Sequence, residues 1–145
     1  FSIKGIVSIM SPGIGATITS DYLVKTAIPT VLKKLREEGG PRRIIWHWDN
    51  APVHKAKVVV EKLRQEHIKI MEHPPYSPDL SPPDFYLFGR VHSAFSSRTF
   101  SDLEELFREF SSFLYSIPLS EFHSVFSTWP DRWTTVIKTK GAYII

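Results

Sequence analysis

An apolar run that ends at an aspartate is the feature that most constrains this chain. Residues Ile44–Trp48 are apolar on nearly every position, and Asp49-Asn50-Ala51-Pro52 follows them directly. A short apolar run without alternation is typical of a strand buried on both faces of a sheet. A carboxylate at the end of such a strand is costly to bury unless a cation meets it. Asp49 is therefore a candidate metal ligand, and the alternative is an aspartate that caps the following turn.

A proline-rich loop leads to a second candidate acid. The segment His73–Asp84 contains five prolines, and 34 residues separate Asp49 from Asp84. Proline restricts the unfolded chain, so this loop can hold a fixed path without secondary structure. The loop can equally be an inert stiff linker, and Asp84 can be a helix N-cap. If a strand end and a helix start bring both carboxylates together, they can hold Mg²⁺ or Mn²⁺.

The length and composition predict one globular domain over residues 1–145. No apolar run approaches the length of a membrane span, so we expect no membrane partner. The charge is uneven, because residues 1–73 carry 12 Lys and Arg against 7 Asp and Glu, and residues 74–145 carry 6 against 8. This asymmetry indicates either two ordinary solvated faces or a basic face that binds phosphates.

The order of predicted elements is typical of a mixed α/β domain. In chain order they are a hairpin of strands 3–10 and 14–18, a helix from Ser20 to Gly39-Gly40 that is disturbed at Pro29, the strand 44–48, a helix after Pro52, a strand 68–71, a helix beginning near Asp84, a helix with a capping box at Ser101–Glu104, and a last helix from Ser120 to about Thr139 that is interrupted near Pro130.

The helix after Pro52 has one apolar and one basic face. The apolar positions recur with helical spacing at Ala56, Val59, Val60 and Leu63. The basic positions are Lys55, Lys57, Lys62 and Arg64, and the pair Arg42-Arg43 lies just upstream of the strand. From these residues we predict weak, sequence-independent DNA binding that falls with salt, because phosphate neutralisation releases counterions.

Two motifs resemble the catalytic core of mariner-type DNA transposases. They are Asp49-Asn50-Ala51-Pro52 with His54, and His73-Pro74-Pro75-Tyr76-Ser77-Pro78-Asp79-Leu80. The segments Trp129–Trp133 and Lys140–Tyr143 are similar to the end of the same domain, so the resemblance runs from about Lys4 to the C-terminus. It implies the ribonuclease H-like fold, with a mixed sheet and helices on both faces, truncated at the N-terminus.

The resemblance also implies the roles of individual residues. The family uses three acids, of which the last two are aspartates with this 34-residue gap, so Asp49 and Asp84 become the catalytic metal ligands for Mg²⁺ or Mn²⁺. Asn50, His54, His73 and Asp79 are expected to support them. We interpret the two histidines as residues that pack the loops around the site and not as metal ligands, because hard cations prefer oxygen. We interpret Asp79 as a loop-fixing residue that accepts backbone N–H bonds and points away from the metal.

One departure limits the activity that the resemblance implies. The family's first acid lies on an upstream strand, but the only aspartate before Asp49 is Asp21, at a predicted helix start. The chain also begins at Phe, so it reads as a fragment lacking the first strand. We therefore expect the gap in the sheet to be closed by a second chain, by direct pairing of the hairpin with strand 44–48, or by upstream sequence.

Two functions remain open from the sequence. The first is metal-dependent DNA cleavage and strand transfer in cut-and-paste transposition, with this chain inactive alone. The second is a transposase-derived domain without catalysis that serves DNA binding or oligomerisation. Both predict a nuclear protein whose partners are DNA and a second copy of the chain in a dimer.

Overall fold

In the computed structural model, the described residues are 1–39 and 43–144, and they divide into two compact units. The strand unit comprises Val7–Pro75, and the helical unit comprises Phe1–Ile6 together with Tyr76–Ile145. No helix in the described ranges has the length and apolar character needed to cross a bilayer.

The strand unit is built on two parallel strands joined by a helix. Its elements are α1 (Ser20–Tyr22), a π-helical segment (Leu23–Ala27), α2 (Ile28–Glu37), β1 (Ile45–His47), a 3₁₀ turn (Pro52–Lys55), α3 (Lys57–Gln65) and β2 (Lys69–Met71). In the sheet, Ile45, Trp46 and His47 pair with Lys69, Ile70 and Met71. Parallel strands need a long crossover, and α3 provides it. Their carboxyl ends consequently lie at the same edge.

The predicted disturbance at Pro29 takes the form of a widened helical turn. Proline has no N–H and its ring clashes with the preceding turn, so it removes a helical hydrogen bond and disturbs the turn before it. Here the N–H of Ile28 bonds to the carbonyl of Leu23, five residues back, and α2 then begins with Pro29 in its first turn. Thr19, rather than Ser20, caps α1 by accepting from the N–H of Tyr22 at 3.1 Å.

The core of the strand unit is formed by the helices and one face of the sheet. Its buried residues are Leu23, Ile28, Leu32, Val59, Leu63 and Ile68, and Trp46 and Trp48 pack against them. The predicted stripe of α3 is narrower than expected, because Val60 is 39% exposed. The prediction that strand 44–48 is buried on both faces is wrong for Ile45, which is 63% exposed. Only one face of this short sheet packs on the helical core.

The predicted N-terminal hairpin is not formed. Within the described residues, 1–18 hold no strand and only an isolated bridge between Ser2 and Gly5. Ile3, Ile14 and Ile18 are 49%, 85% and 52% exposed. A two-stranded hairpin is marginal without a further strand or helix to pack on. β-branched residues alone were therefore insufficient, and this segment does not pair with β1.

The helical unit holds the proline-rich loop from Tyr76 onward and three helices. Its elements are a 3₁₀ turn (Pro78–Leu80), a π-helical segment (Pro83–Leu87), α4 (Phe88–Phe95), α5 (Leu103–Ser116) and α6 (Leu119–Lys138). Its most buried apolar residues are Leu80, Leu114, Ile117, Phe122 and Val125. The ring of Phe1 packs on Phe122, with ring centroids 5.6 Å apart.

Two local predictions in the helical unit need correction. The N-cap of α5 is Asp102, one residue later than predicted: Asp102 accepts from the N–H of Glu105 at 2.7 Å, and Glu105 accepts from the N–H of Ser101, the residue before the cap, at 2.6 Å. The last helix is also continuous through Pro130. A proline inside a helix removes one hydrogen bond, and long-range contacts of the neighbouring Trp129 and Arg132 hold α6 in place on both sides of it.

Candidate active site

A cleft opens at the carboxyl ends of β1 and β2. Its volume is about 500 Å³, and all its walls belong to the strand unit. The lining residues are Trp48, Asp49, Asn50, His54, Lys55, Val60, Ile70, Met71, Glu72, His73 and Pro75. Five site residues predicted from the sequence therefore meet here, namely Asp49, Asn50, His54, Lys55 and His73. Parallel topology explains the meeting, because both strands deliver their following loops to one edge.

Asp49 is one of two acids in this cleft, and its carboxylate is held by its own turn. One oxygen, Oδ1, accepts from the N–H of Ala51 at 3.0 Å and lies 2.8 Å from Nδ1 of His54. The Asp49 side chain remains 60% exposed. Within the described residues, no hydrogen bond engages the other oxygen, Oδ2. The turn-capping and ligand interpretations are thus compatible, because capping uses one oxygen and leaves the second toward the cleft.

His54 is fixed from two directions. Its ring stacks on Trp48 with centroids 4.1 Å apart and an interplanar angle of 3°. Its Nδ1 also lies 3.2 Å from the backbone carbonyl of Asp49. Carbonyl and carboxylate oxygens only accept, so Nδ1 carries the proton that reaches them. His54 therefore supports the carboxylate through Nδ1, in the manner of a residue that orients a metal ligand.

Asn50 and two histidines tie the strand ends together. The Asn50 amide donates to the carbonyl of His73 at 2.7 Å. The ring of His73 lies 3.2 Å, nitrogen to nitrogen, from that of His47, which is the last residue of β1. One of the two ring nitrogens must donate to the other. These contacts fix the loop after β2 against the loop that carries Asp49.

Asp84 lies in the other unit, in the first turn of the π-helical segment that precedes α4. Its backbone N–H donates to the carbonyl of Ser81 at 2.9 Å, and its side chain is exposed. In the described part of the chain, no side chain or backbone group pairs with its carboxylate. Pro82, rather than Asp84, is the residue that precedes this helix. Asp84 therefore does not act as the N-cap that the sequence left open.

Asp79 is buried, with 4% exposure. Its Oδ2 accepts from the backbone N–H of Ile144 at 3.0 Å. This contact is of the loop-fixing kind that we expected from the sequence. It ties the proline-rich loop to the C-terminal end of the described chain.

The oxygen ligands in the cleft are of the type that a hard divalent cation prefers, but they are too few to form a complete metal site. Asp49 offers an exposed carboxylate oxygen in a cleft that also contains Glu72 and the Asn50 side chain, and such cations prefer oxygen. However, the described residues contain no group of three or more His, Asp and Glu side chains placed to share a metal. The strand unit thus presents one candidate ligand, Asp49, whose carboxylate is partly fixed by its turn.

The predicted basic residues divide into paired and unpaired cations. Lys62 contacts Glu66 at 2.7 Å, and Arg64 contacts Glu61 at 2.8 Å. Lys55, Lys57 and Arg43 make no ion pair with any described residue, and all three are exposed. Arg42 lies outside the described residues. Lys55, at the end of the 3₁₀ turn, also lines the cleft together with Asp49, and Lys57 is the first residue of α3.

Three contributors to the cleft were not singled out from the sequence. Trp48 supports His54, His47 contacts His73, and Glu72 adds a second carboxylate to the wall. The signal for Glu72 was available, because it directly follows a strand that is parallel to the one before Asp49. The His47–His73 contact depends on strand register, which the sequence pattern did not specify.

Comparison with known proteins gives one family match. The sequence profile described as DDE superfamily endonuclease matches residues 6–107. Among curated proteins, the chain is 28% identical over 102 residues to the mariner Mos1 transposase of Drosophila mauritiana, covering 70% of this chain and 30% of the relative. It is 27% identical over 143 residues to the histone-lysine N-methyltransferase SETMAR of Homo sapiens, covering 94% of this chain and 20% of that protein. The chain thus spans less than a third of either relative.

Solved structures show the same fold. The crystal structure of the Mos1 mariner transposase catalytic domain superposes with a TM-score of 0.91 at 22% identity, covering 100% of this chain and 73% of that chain. The Mos1 mariner paired end complex with Mn superposes with a TM-score of 0.91 at 23% identity, covering 99% of this chain and 43% of that chain. The ribonuclease H-like fold expected from the sequence is therefore confirmed.

Proposed function

The chain belongs to the DDE superfamily endonuclease family, and from this premise we propose that it forms part of the catalytic core of a mariner-type transposase, which cuts and joins DNA. The observation that carries the proposal is the position of Asp49. It follows a parallel strand, lies in an open cleft, and has one carboxylate oxygen held by its turn and by His54. The chain spans only part of its relatives, so the activity of the complete protein is part of this proposal.

Asp49 and Asp84 are the residues that we propose as metal ligands, with Mg²⁺ or Mn²⁺ as the cation. The related Mos1 mariner paired end complex has been solved with Mn. When bound, such a cation supplies electrostatic stabilisation to the phosphate oxygens of a cleaved strand. The chain's own contribution is to orient the ligands: His54 and Ala51 hold the Asp49 carboxylate, and the Asn50–His73 contact fixes the adjoining loops. A hard cation and the oxygens of Asp49 and Asp84 are chemically matched.

Asp21 is a poor replacement for the family's first acid. It lies in the first turn of α1, on the surface, and contacts Lys25 at 2.7 Å. We therefore propose that the 145-residue chain alone does not cut DNA, and that an upstream segment carrying an acid on a strand completes the site. We also propose that residues 1–145 belong to a single catalytic-core domain.

The activity test compares the chain alone with the chain extended by the upstream segment of a mariner relative. We expect no nicking of plasmid DNA by the chain alone with Mg²⁺ or Mn²⁺, and metal-dependent nicking by the extended protein. Asp49→Ala or Asp84→Ala should then lower nicking by at least about 100-fold, because removing even an outer partner of a metal ligand costs about 10–100-fold.

Asp131→Ala, an exposed change on α6, is the control for general damage. Metal-dependent nicking by the isolated chain that is lost in Asp49→Ala would contradict the need for an upstream acid. Failure of the extended protein to nick, with metal binding intact, would favour the second function below.

We propose that DNA binding depends on the unpaired cations near the cleft. Lys55 and Lys57 are available to phosphates, whereas Lys62 and Arg64 already contact glutamates. Each neutralised phosphate contributes about 0.9 to the slope of log affinity against log salt. Replacing Lys55 and Lys57 by alanine should lower that slope by about 2. The matched double variant, Lys62→Ala with Arg64→Ala, should change the slope less. An equal change in slope would refute the assignment of DNA binding to Lys55 and Lys57.

The transposase-derived, non-catalytic domain remains the second candidate. It is favoured by the absence of a three-ligand metal cluster in the described residues. Under either function we propose DNA as a partner, a homodimer as the assembly and the nucleus as the location. Light scattering across a concentration series, with and without DNA, tests the assembly. A monomer that persists on DNA would contradict the dimer.

A further inference from the structure

The proline-rich loop before Asp84 is held by groups from the far end of the chain. The carbonyl of Asp79 accepts from Nη1 of Arg132 at 3.1 Å, and the carbonyl of Leu80 accepts from Nε1 of Trp129 at 2.8 Å. Both donors lie on α6. Two consecutive backbone carbonyls of the 3₁₀ turn Pro78–Leu80 are thus fixed by one helix.

The same loop is also held through a buried side chain, that of Asp79. The Asp79 carboxylate is 4% exposed and accepts the backbone N–H of Ile144. A buried carboxylate is expensive unless hydrogen bonds compensate it, so this contact strongly favours one path for the C-terminal tail. The tail, α6 and the loop therefore meet around Asp79.

The fixed loop leads directly to Asp84. Ser81, which follows the two anchored carbonyls, is 2% exposed, and its own carbonyl accepts from the N–H groups of Asp84 and Phe85, each at 2.9 Å. Arg132 contacts this turn a second time, because its guanidinium carbon lies 4.0 Å from the centre of the Phe85 ring. Arg132 thus touches the residues on both sides of the Ser81–Asp84 hydrogen bond.

We propose that α6 and the C-terminal tail form a clamp that positions Asp84, with Arg132 as its main positioning residue. The clamp is defined by Asp79, Trp129, Arg132 and Ile144. Arg132 acts on Asp84 through the backbone of residues 79–85 and does not itself hold the metal. The role of the clamp in metal binding rests on the proposed function, whereas its effect on the backbone does not.

The geometry favours positioning over simple core packing. Asp84 has an exposed carboxylate with no partner among the described residues, so its orientation depends on its backbone. A ligand displaced by about 1 Å can cost about 100-fold in rate. A planar, multiply donating guanidinium can hold a carbonyl and a ring face at once, which a lysine ammonium does less well.

The first test replaces Arg132 in the full chain and reads two signals. Arg132→Met keeps much of the apolar stem but removes the donors and the charge, Arg132→Lys keeps the charge, and Asp131→Ala is the exposed neighbouring control. The signals are amide hydrogen exchange at Asp84 and Phe85, and Mn²⁺ affinity measured by electron paramagnetic resonance. Exchange reports the backbone, and Mn²⁺ affinity reports the ligand.

We expect Arg132→Met to accelerate exchange at Asp84 and Phe85 by at least 10-fold and to weaken Mn²⁺ binding by about 10–100-fold. Arg132→Lys should give an exchange rate and a Mn²⁺ affinity between those of Arg132→Met and the wild type. Asp131→Ala should match the wild type in both. Faster exchange with unchanged Mn²⁺ affinity would reduce Arg132 to a structural role and overturn the proposal. Unchanged exchange would overturn the clamp itself.

A second test isolates the anchor at Asp79. Ile144→Pro removes the N–H that Asp79 accepts, whereas Ile144→Ala keeps the N–H and removes most of the side chain. We expect Pro, but not Ala, to accelerate exchange at Leu80 and Ser81. Equal effects would show that packing of Ile144, and not its hydrogen bond, holds the loop. If the 145-residue chain binds no Mn²⁺, the affinities are measured in the protein extended by the upstream segment, and absence of binding there would overturn the proposed metal function. The exchange data then decide on the clamp.

Discussion

Asp49 and Asp84 are supported over very different distances along the chain. The contacts of Asp49 come from Ala51 and His54, two and five residues away. The loop that leads to Asp84 is held by Trp129, Arg132 and Ile144, which lie 49, 53 and 65 residues from their partners. The strand unit therefore fixes its acid by a local turn, and the helical unit fixes its acid by long-range anchors.

The two acids also differ in the part that is fixed. At Asp49 the carboxylate itself accepts hydrogen bonds, so its side-chain rotamer is restricted. At Asp84 the backbone is bonded to a buried residue, Ser81, while the carboxylate stays unpaired among the described residues. Local support tolerates changes elsewhere in the protein, whereas long-range support makes the position of a residue sensitive to the packing of its whole unit.

The largest expected effect is on the core of the helical unit. Phe122 is 1% exposed and its ring contacts those of Phe1 and Tyr86. Phe122→Ala should lower the free energy of unfolding by about 3–5 kcal/mol and accelerate exchange at Asp84. The counterpart, Leu63→Ala in the core of the strand unit, should cost about 2–5 kcal/mol. Urea denaturation gives the energies, and a loss below about 1 kcal/mol for Phe122→Ala would contradict this view of the core.

The local support of Asp49 should be visible in metal affinity. We expect His54→Ala to weaken Mn²⁺ binding by about 10–100-fold, because the imidazole orients the carboxylate. His67→Ala, which removes an exposed histidine of the same unit, is the control. Titration of the paramagnetic Mn²⁺ signal measures both. Equal affinities for the two variants would remove His54 from the site and weaken the contrast between local and long-range support.

At alkaline pH the helical unit should lose stability first. Burial, together with a hydrogen bond to Glu121, raises the pKa of Tyr86 to about 12 from a usual value of 10.0. The folded state therefore favours the neutral phenol, and this contribution is complete below pH 10 and is lost as the pH rises toward 12. We expect a loss of about 1 kcal/mol, measured by denaturation at several pH values. Tyr86→Phe should flatten the dependence of unfolding free energy on pH in this range. An unchanged dependence would contradict the role of Tyr86.

At acid pH the smallest effect should come from the strand unit. Hydrogen bonds from Lys62 and Arg36 lower the pKa of Glu66 to about 2 from a usual value of 4.5. The stabilisation is present above pH 4.5 and is lost as the pH falls toward 2. The group is partly exposed, so we expect no more than about 1 kcal/mol. Glu66→Gln should remove this acid dependence, with Glu104→Gln as an exposed control.

The parts of the site that were predictable from sequence are the residues whose positions depend on their near neighbours in the chain. Asp49, Asn50 and His54 follow one strand, and His73 follows the next, so a parallel sheet brings them together. The apolar stripe gave Val59 and Leu63 correctly as core residues, and the motifs predicted the fold and the family. The hairpin 3–18 was wrong because strand propensity has no effect without a partner strand.

The sequence by itself determined the local chemistry of this protein: which acid ends a strand, which prolines restrict the loop and which residues flank them. Only the tertiary structure decided that Arg132, Trp129 and Ile144 hold the loop before Asp84. The physical reason is that turns, caps and strand ends depend on neighbours in the chain. A buried carbonyl accepts from any donor that folding brings within about 3 Å, and residue spacing does not encode which donor that is.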